Sequence, residues 1–279
     1  MKTLGYYNGK FDELDKMMIP MNDRVCYFGD GVYDATLARN YKIFAIDEHI
    51  DRFFNSAGLL KIKIPYTKDE VKALLNEMLQ KMESGNMFVY WQVTRGTGIR
   101  NHAFPDTPAN MWIMLKPAEL KDMDRKLKLV TAEDTRFFHC NIKTLNLIPS
   151  VMAAQNAESQ GCDETIFHRG DRVTECAHSN VHIIQDGMLK TAPADNLILP
   201  GIARAHLIAM CKRLGIPVNE TPYTVDELLN AEEVIVTSSS QLCMLAESVD
   251  GKPVGGKQPE LVGRLQQALL DEFYAATDK

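Results

Sequence analysis

Residues 67–84 leave little choice of conformation. Thr67 and Glu70 stand three apart as a capping box. Behind them Val71, Leu74, Leu75, Met78, Leu79 and Met82 recur at helical spacing, and Gly85 is the expected stop. Residues 87–94, rich in aromatic and β-branched side chains, follow at once as a strand. A one-faced helix followed at once by a strand is compatible with a mixed α/β (α+β) fold class. The same signature returns later in the chain. Thr224 and Glu227 form a second capping box, and residues 233–237 read as a strand.

The first half opens with a short strand over 4–10 that ends in the turn pair Asn8-Gly9. Two glycines around Asp30 imply a tight backbone path before another strand. Residues 47–60 read as a helix capped by Asp47. Ile50, Phe53, Phe54 and Ala57 form its apolar face, and Arg52 falls roughly opposite. A glycine-bearing loop over 95–104 precedes a strand at 111–115. Residues 116–128 are polar and charged, with Pro117 near their start, and read as a linker. The expected organisation is an N-terminal domain over 1–117, a linker over 118–126 and a C-terminal domain over 127–279.

The second half is expected to begin with a strand at 127–131. A helix opened by Pro149 and Ser150 and closed by Gly161 comes next, then strands at 165–168 and 181–185. Asp186-Gly187 marks a hairpin turn. A helix over 203–214 stops at Gly215 and Pro217, and residues 259–275 form an amphipathic C-terminal helix.

Composition removes several function classes. The net charge is −6 and no basic block stands out, which disfavours nucleic acid as a partner. No apolar run approaches the roughly 18 residues of a membrane span. The N-terminus has no apolar signal core, so the expected location is cytoplasmic. The six cysteines are scattered without a Cys-x-x-Cys pair and are expected to be reduced thiols. The histidines do not fall into ligand spacing with them, so no metal site is expected.

Lys143 lies among the apolar residues Ile142, Leu145, Leu147 and Ile148. On local sequence it is either a surface lysine or an amine whose pKa falls because apolar surroundings penalise its charge. The second kind is a nucleophile towards carbonyls. His139 and Cys140 precede it without an assignable role. Two stretches suit a phosphate. One is Gly201-Ile202-Ala203 at a helix start, where backbone N–H groups and the helix dipole favour an anion. The other is the hydroxyl cluster Thr237-Ser238-Ser239-Ser240, with Arg52 a candidate counter-charge. Glu175, expected between a turn at 169–171 and a strand, is either an exposed carboxylate or an acid held against a cationic ring nitrogen. Arg100 and His102, with Tyr33, suit a substrate carboxylate, since arginine can grip one with two N–H groups. No P-loop and no dinucleotide-binding glycine pattern is present.

Six stretches in order carry a resemblance: Asp-Arg-Val-Cys-Tyr-Phe-Gly-Asp-Gly-Val-Tyr (23–33), Asp-Glu-His-Ile-Asp-Arg-Phe (47–53), Val-Thr-Arg-Gly-Thr-Gly-Ile-Arg-Asn-His (93–102), Ile-Lys-Thr-Leu-Asn-Leu (142–147), Val-Thr-Glu-Cys-Ala-His-Ser-Asn-Val (173–181) and Leu-Pro-Gly-Ile-Ala-Arg (199–204). Together they resemble the fold-type IV pyridoxal-phosphate aminotransferases over nearly the whole chain, and within them the enzymes that act on D-amino acids. The resemblance implies a smaller N-terminal α/β domain and a larger, barrel-like C-terminal α/β domain that binds pyridoxal 5′-phosphate.

It further implies that Lys143 is the Schiff-base lysine and proton shuttle, and that Glu175 faces the pyridine nitrogen. Arg52, the backbone of Ile202 and Ala203, and the hydroxyls of Ser238 and Ser239 bind the phosphate. Leu199 packs behind the ring. Tyr33, Arg100 and His102 trap the substrate carboxylate, with Arg100 and His102 supplied by the neighbouring subunit of a homodimer whose active sites are shared. The implied reaction passes the amino group of D-alanine to 2-oxoglutarate, giving pyruvate and D-glutamate in two half-reactions. A branched-chain L-aminotransferase, an aminodeoxychorismate lyase of the same fold and a non-catalytic pyridoxal-phosphate-binding protein are the alternatives. Cys176-Ala177-His178 stands where family members carry small glycine and serine residues, and Ala203 replaces a threonine.

Overall fold

The computed structural model describes residues 2–278. By its internal contacts the chain forms two compact units. One comprises residues 1–120, 142–146 and 273–279, and the other residues 121–141 and 147–272.

The first unit contains β1 (Leu4–Tyr7), β2 (Lys10–Asp12), a short α1 (Arg24–Phe28), β3 (Gly31–Arg39), β4 (Lys42–Ile43), α2 (Ile46–Leu59), α3 (Lys68–Gln80), β5 (Met87–Thr94) and β6 (Asn110–Pro117). Its six strands form one sheet in the order β2-β1-β6-β5-β3-β4. All of its pairings are antiparallel. The stripe of α3 is buried as expected, with Val71, Leu75, Met78 and Leu79 fully enclosed among Trp91, Val89 and Ile113 of the sheet. Each such side chain contributes about 1.5–3 kcal/mol on burial. The Thr67–Glu70 capping box forms in both directions.

Two local expectations change. α3 ends at Gln80 rather than at Gly85. Gly85 instead lies so close to the Asn40-Tyr41 backbone that no Cβ would fit, and its carbonyl accepts the Tyr41 N–H at 3.3 Å. Asp47 is not the cap of α2. Ala45 holds that position in the left-handed region (φ 49°), and Asp47 lies in the first turn, where its charge complements the helix dipole. Residues 24–28, not assigned to an element from the sequence, form a helical turn. Asp23 caps it by accepting the Val25 N–H at 2.9 Å, and Gly29 closes it at φ 59°.

The second unit contains β7 (Leu127–Glu133), α4 (Ile148–Ser159), β8 (Glu164–Arg169), β9 (Arg172–Cys176), β10 (Asn180–Gln185), β11 (Met188–Thr191), α5 (Ile202–Arg213), β12 (Val218–Asn219), α6 (Val225–Asn230), β13 (Glu233–Thr237), β14 (Met244–Val249) and β15 (Lys252–Pro253), followed by α7 (Pro259–Thr277). By unit membership, α7 runs out of the second unit and ends in the first. The mixed sheet runs β12-β11-β10-β13-β14-β7-β8-β9, with β15 on β14. Its pairs β14–β7, β7–β8 and β11–β12 are parallel. One core lies among Leu129, Ile166, Val181, Val234 and Val236; another packs α5 and α7 through Leu207, Cys211, Leu265 and Leu269. Asp186 and Gly187 turn the β10–β11 hairpin with positive φ at both residues, as the pair requires. The mixed α/β architecture of the sequence reading is therefore present. Among the described residues no helix is long and apolar enough to cross a membrane, and no cluster of metal-ligating side chains occurs.

Candidate active site

In the first unit, residues 142–146 lie alongside β3. Lys143 C=O accepts the Tyr33 N–H at 3.0 Å, Leu145 N–H reaches Gly31 C=O at 3.1 Å, and Thr144 bridges Val32. Gly31 permits this approach, because a Cβ there would strike both Leu145 and the Val93 carbonyl. Lys143 is thereby fixed at its backbone, and its N–H donates to Ser56 Oγ at 3.2 Å. Its Nζ lies 4.3 Å from the centre of the Tyr33 ring, and Tyr33 stacks on Tyr90 at 5.3 Å. A cation or amine over an aromatic face is held without being neutralised by a carboxylate.

Arg52 falls roughly opposite the apolar stripe of α2, yet it is buried. His49, Arg52 and Ser56 form a second, polar stripe on α2 that faces the wholly buried Asp34. Arg52 Nε donates to Asp34 Oδ2 at 2.9 Å and Nη2 to Oδ1 at 2.7 Å, while His49 Nδ1 meets Oδ1 at 2.7 Å. Burial alone would raise the Asp34 pKa. The charge of Arg52 and the bonds from His49 and Arg52 outweigh it and hold the carboxyl well below the usual range. Burial drives His49 the other way, towards the neutral form.

Arg100 and His102 sit on the exposed 95–104 loop and share one aromatic support. The Arg100 guanidinium lies 5.4 Å from the Phe28 ring centre, and the His102 ring 5.2 Å from it. The loop is shaped from beneath by the buried Arg24. Its Nη1 donates to Asn101 C=O at 2.6 Å and Ala103 C=O at 3.3 Å, and its Nε to Asp30 at 2.7 Å. Tyr33 is engaged separately, by Tyr90 and Lys143.

In the second unit Glu175 lies inside β9, because that strand begins earlier than the turn residues implied, and it is buried rather than exposed. Arg136 Nη1 donates to Glu175 Oε1 at 2.6 Å. Oε2 accepts from Asn180 Nδ2 and from Leu199 N–H, both at 3.0 Å. A carboxylate with three donors is held in one orientation. Arg136 is itself fixed by Asp134, which accepts from Nε and Nη2 at 2.9 Å each.

Gly201 precedes α5 with no side-chain cap, so the first N–H groups of the helix, at Ile202 and Ala203, have no side chain of Gly201 to satisfy them. A Cβ at Gly201 would collide with Asn180, the same side chain that orients Glu175. Ser238 Oγ lies 3.4 Å from Ser240 Oγ and 3.3 Å from Gln241 Oε1 at the end of β13. Cys140 is a buried thiol whose pKa burial raises, which makes it a poor nucleophile near neutral pH.

Residues 31–249 match the model of the amino-transferase class IV family. The chain belongs to that family. Among its relatives, the D-alanine aminotransferase of Listeria monocytogenes serotype 4b (strain F2365) is 38% identical, with 99% of this chain and 97% of the relative covered. The D-alanine aminotransferase of Bacillus licheniformis is 34% identical, with 100% and 99% covered. In fold, this class IV chain is similar to the branched-chain amino acid aminotransferase of Escherichia coli, with a TM-score of 0.90 at 21% identity over 100% of this chain and 97% of that one. The branched-chain aminotransferase of the thermophilic archaeon Thermoproteus uzoniensis, solved with norvaline, gives 0.87 at 20% identity over 98% and 96%.

Class IV aminotransferases depend on pyridoxal 5′-phosphate, and this chain's donor set fits that group. An amine stands over an aromatic ring, a fixed carboxylate suits a protonated ring nitrogen, and an uncapped helix start with a hydroxyl cluster suits a phosphate. The residues that support these groups went unread in the sequence: Asp34, Arg136, Asn180 and Arg24. One signal was available for the first. His49 and Arg52, three apart within a helix, lie on one face and require a common buried acceptor.

Proposed function

We propose that the protein transfers amino groups between D-amino acids and 2-oxo acids, with D-alanine and 2-oxoglutarate giving pyruvate and D-glutamate. The observation that carries this reading is the near end-to-end similarity to D-alanine aminotransferases, 38% in one and 34% in another. The fold alone does not separate this reaction from that of the branched-chain enzymes, since they are also similar in fold.

In this reading pyridoxal 5′-phosphate, when bound, supplies the electron sink that lets an amino acid lose its α-proton, which no side chain here can do. Lys143 would hold the cofactor through Nζ. The same Nζ would take the substrate's α-proton and return one. Tyr33 beneath the amine keeps it aimed without neutralising it. Glu175, oriented by Arg136, Asn180 and Leu199, would hold a proton on the ring nitrogen. Arg52, the N–H groups of Ile202 and Ala203, and the hydroxyls of Ser238 and Ser239 would take the phosphate, with Leu199 behind the ring.

Arg100 and His102, exposed in their own protomer, would reach the substrate carboxylate of a second copy, with Tyr33 completing that trap. A homodimer is supported by the apolar side chains of Phe138, Ile148, Val151 and Met152, all left exposed on the monomer. The proposed location is the cytoplasm.

A donor panel of D- and L-amino acids with 2-oxoglutarate tests the reading. Pyruvate and D-glutamate should form from D-alanine, and Arg100→Ala should raise KM for D-alanine by about tenfold or more, the cost of one charge-assisted contact. Product from L-leucine with none from D-alanine would overturn the assignment.

A further inference from the structure

One buried titratable side chain takes no part in the chemistry above. His182, on β10, is fully enclosed between two hydroxyls, with Nδ1 2.8 Å from Thr191 Oγ1 and Nε2 2.9 Å from Thr237 Oγ1. Thr191 belongs to β11, which pairs with β10 on one side, and Thr237 ends β13, which pairs with it on the other. The chain of contacts continues into α5. Arg204 Nε donates to Thr191 Oγ1 at 3.3 Å, and its Nη2 donates to Ala192 C=O and Glu220 at 2.9 and 2.8 Å.

Arg204 only donates, so Thr191 Oγ1 accepts from it. Each threonine hydroxyl has one hydrogen and two lone pairs, so it can donate to or accept from the ring, and the one N–H and one bare nitrogen of a neutral imidazole are both satisfied between the two. Burial, with the Arg204 charge adding to it, keeps the imidazole neutral, its pKa pushed down to about 3.

The two ends of this relay are the two parts of the candidate phosphate seat. Arg204 lies in the first turn of α5, one residue beyond Ala203, and Thr237 immediately precedes Ser238 and Ser239. We propose that His182 is a positioning residue for the cofactor phosphate: by joining Thr237 to Arg204 through Thr191, it fixes the Ser238–Ser239 hydroxyls relative to the N-terminus of α5. This rests on the cofactor assignment above and names a residue of the second unit that shapes the seat without touching the ligand. Two elements far apart in sequence are held in register by a side chain that has one donor, one acceptor and no charge.

The test separates phosphate binding from everything else. The full-length protein, freed of cofactor, is titrated with pyridoxal 5′-phosphate and with pyridoxal, which lacks the phosphate, and binding is followed by absorbance. His182→Phe should weaken pyridoxal 5′-phosphate by about tenfold, the equivalent of one or two lost buried hydrogen bonds, and leave pyridoxal within about twofold. His182→Gln, which keeps a donor and an acceptor, should recover most of the loss. Thr237→Val, a milder change, should show the same selectivity and serves if His182→Phe does not fold.

Equal weakening of both ligands in His182→Phe and Thr237→Val would overturn the proposal, as would unchanged affinity in both. A wild-type protein that binds pyridoxal as tightly as its phosphate ester would instead remove the phosphate seat itself, and the proposal with it. A seat that prefers the phosphate in the wild type but is indifferent to residue 182 removes the proposal alone.

Discussion

In the first unit a buried carboxylate, Asp34, holds an arginine; in the second a half-buried arginine, Arg136, holds a buried carboxylate. The pairs have opposite polarity. Arg52 is the proposed partner of an anion, and Glu175 the proposed partner of a cationic ring nitrogen. The supports differ as well. Asp34 is wholly buried and is the shared acceptor of both His49 and Arg52. Glu175 spreads its bonds over Arg136, Asn180 and a backbone N–H. A functional charge can thus hang on one side chain or be distributed over several, and the two designs should fail differently.

The largest expected effect breaks the concentrated design. Asp34→Asn leaves the Arg52 charge without its counter-charge in a buried site and should cost about 3–5 kcal/mol of stability. Arg136→Met removes one of three donors to Glu175, and the Asp134 partner keeps Arg169 and Thr174. Its cost should be smaller, about 2–3 kcal/mol. Denaturant unfolding of the two variants decides the ranking, and an Arg136 variant as damaged as Asp34→Asn would show the second network to be equally concentrated. The two should also part in function. Asp34→Asn should weaken pyridoxal 5′-phosphate binding, whereas Arg136→Met should bind it nearly normally and lose turnover, because Glu175 keeps Asn180 and Leu199 but loses its one charged donor.

The same contrast explains what the sequence let through. Arg52, Lys143 and Glu175 were legible because each sits in an ordered stretch of matching residue types. Their supports were not. Asp34 lies 18 positions before Arg52, and Arg136 lies 39 before Glu175, so no local pattern joins them. Helical spacing misled on Arg52 because only apolar residues were counted towards the buried face. His49, Arg52 and Ser56 are also inward, made tolerable by Asp34 and by the backbone of Lys143. Glu175 looked like a turn residue because Arg169-Gly170-Asp171 is a turn. That the strand resumes at Arg172 follows from its pairing with β8, a tertiary contact. The elements themselves, with helix α3 and strands β5 and β13 the clearest cases, were set by periodicity and caps and came out nearly where the residues put them.

Acid separates the two units at a finer scale. His182 in the second unit has its pKa depressed to about 3, so between about pH 6.5 and 3 the unfolded chain binds a proton that the folded one refuses. Its neutral bridge therefore contributes fully above about pH 6.5, and stability falls as the pH drops through that window by at most about 1.4 kcal/mol per pH unit. His49 in the first unit shifts in the same direction. Asp34 and Asp134, whose pKa values are also depressed, add their loss only below about pH 4, where the unfolded carboxyls take up protons. Unfolding measured from pH 7 to 5 should thus slope downward in the wild type and less steeply in His182→Gln. An unchanged slope would place the histidine term in the first unit.

The smallest effect tests a feature the two units share. Each has a threonine–glutamate capping box, Thr67–Glu70 on α3 and Thr224–Glu227 on α6, with both reciprocal bonds formed. Replacing either threonine by alanine should cost about 1 kcal/mol, since one N–H at the helix start loses its acceptor. The boxes differ in what lies beyond them. Glu70 is exposed and serves only its cap, whereas Glu227 also forms an ion pair with Lys190 of β11. With its second partner, Glu227 stays in place when Thr224 is cut back and can go on accepting the residue 224 N–H. Thr224→Ala should therefore lose less than Thr67→Ala, and Lys190→Met in the Thr224→Ala background should abolish that difference. Transamination should be unchanged in all three, because a cap stabilises a helix start whose residues bind neither cofactor nor substrate. If both threonines cost the same with Lys190 present, the ion pair adds nothing to the cap, as is common for pairs this near the surface.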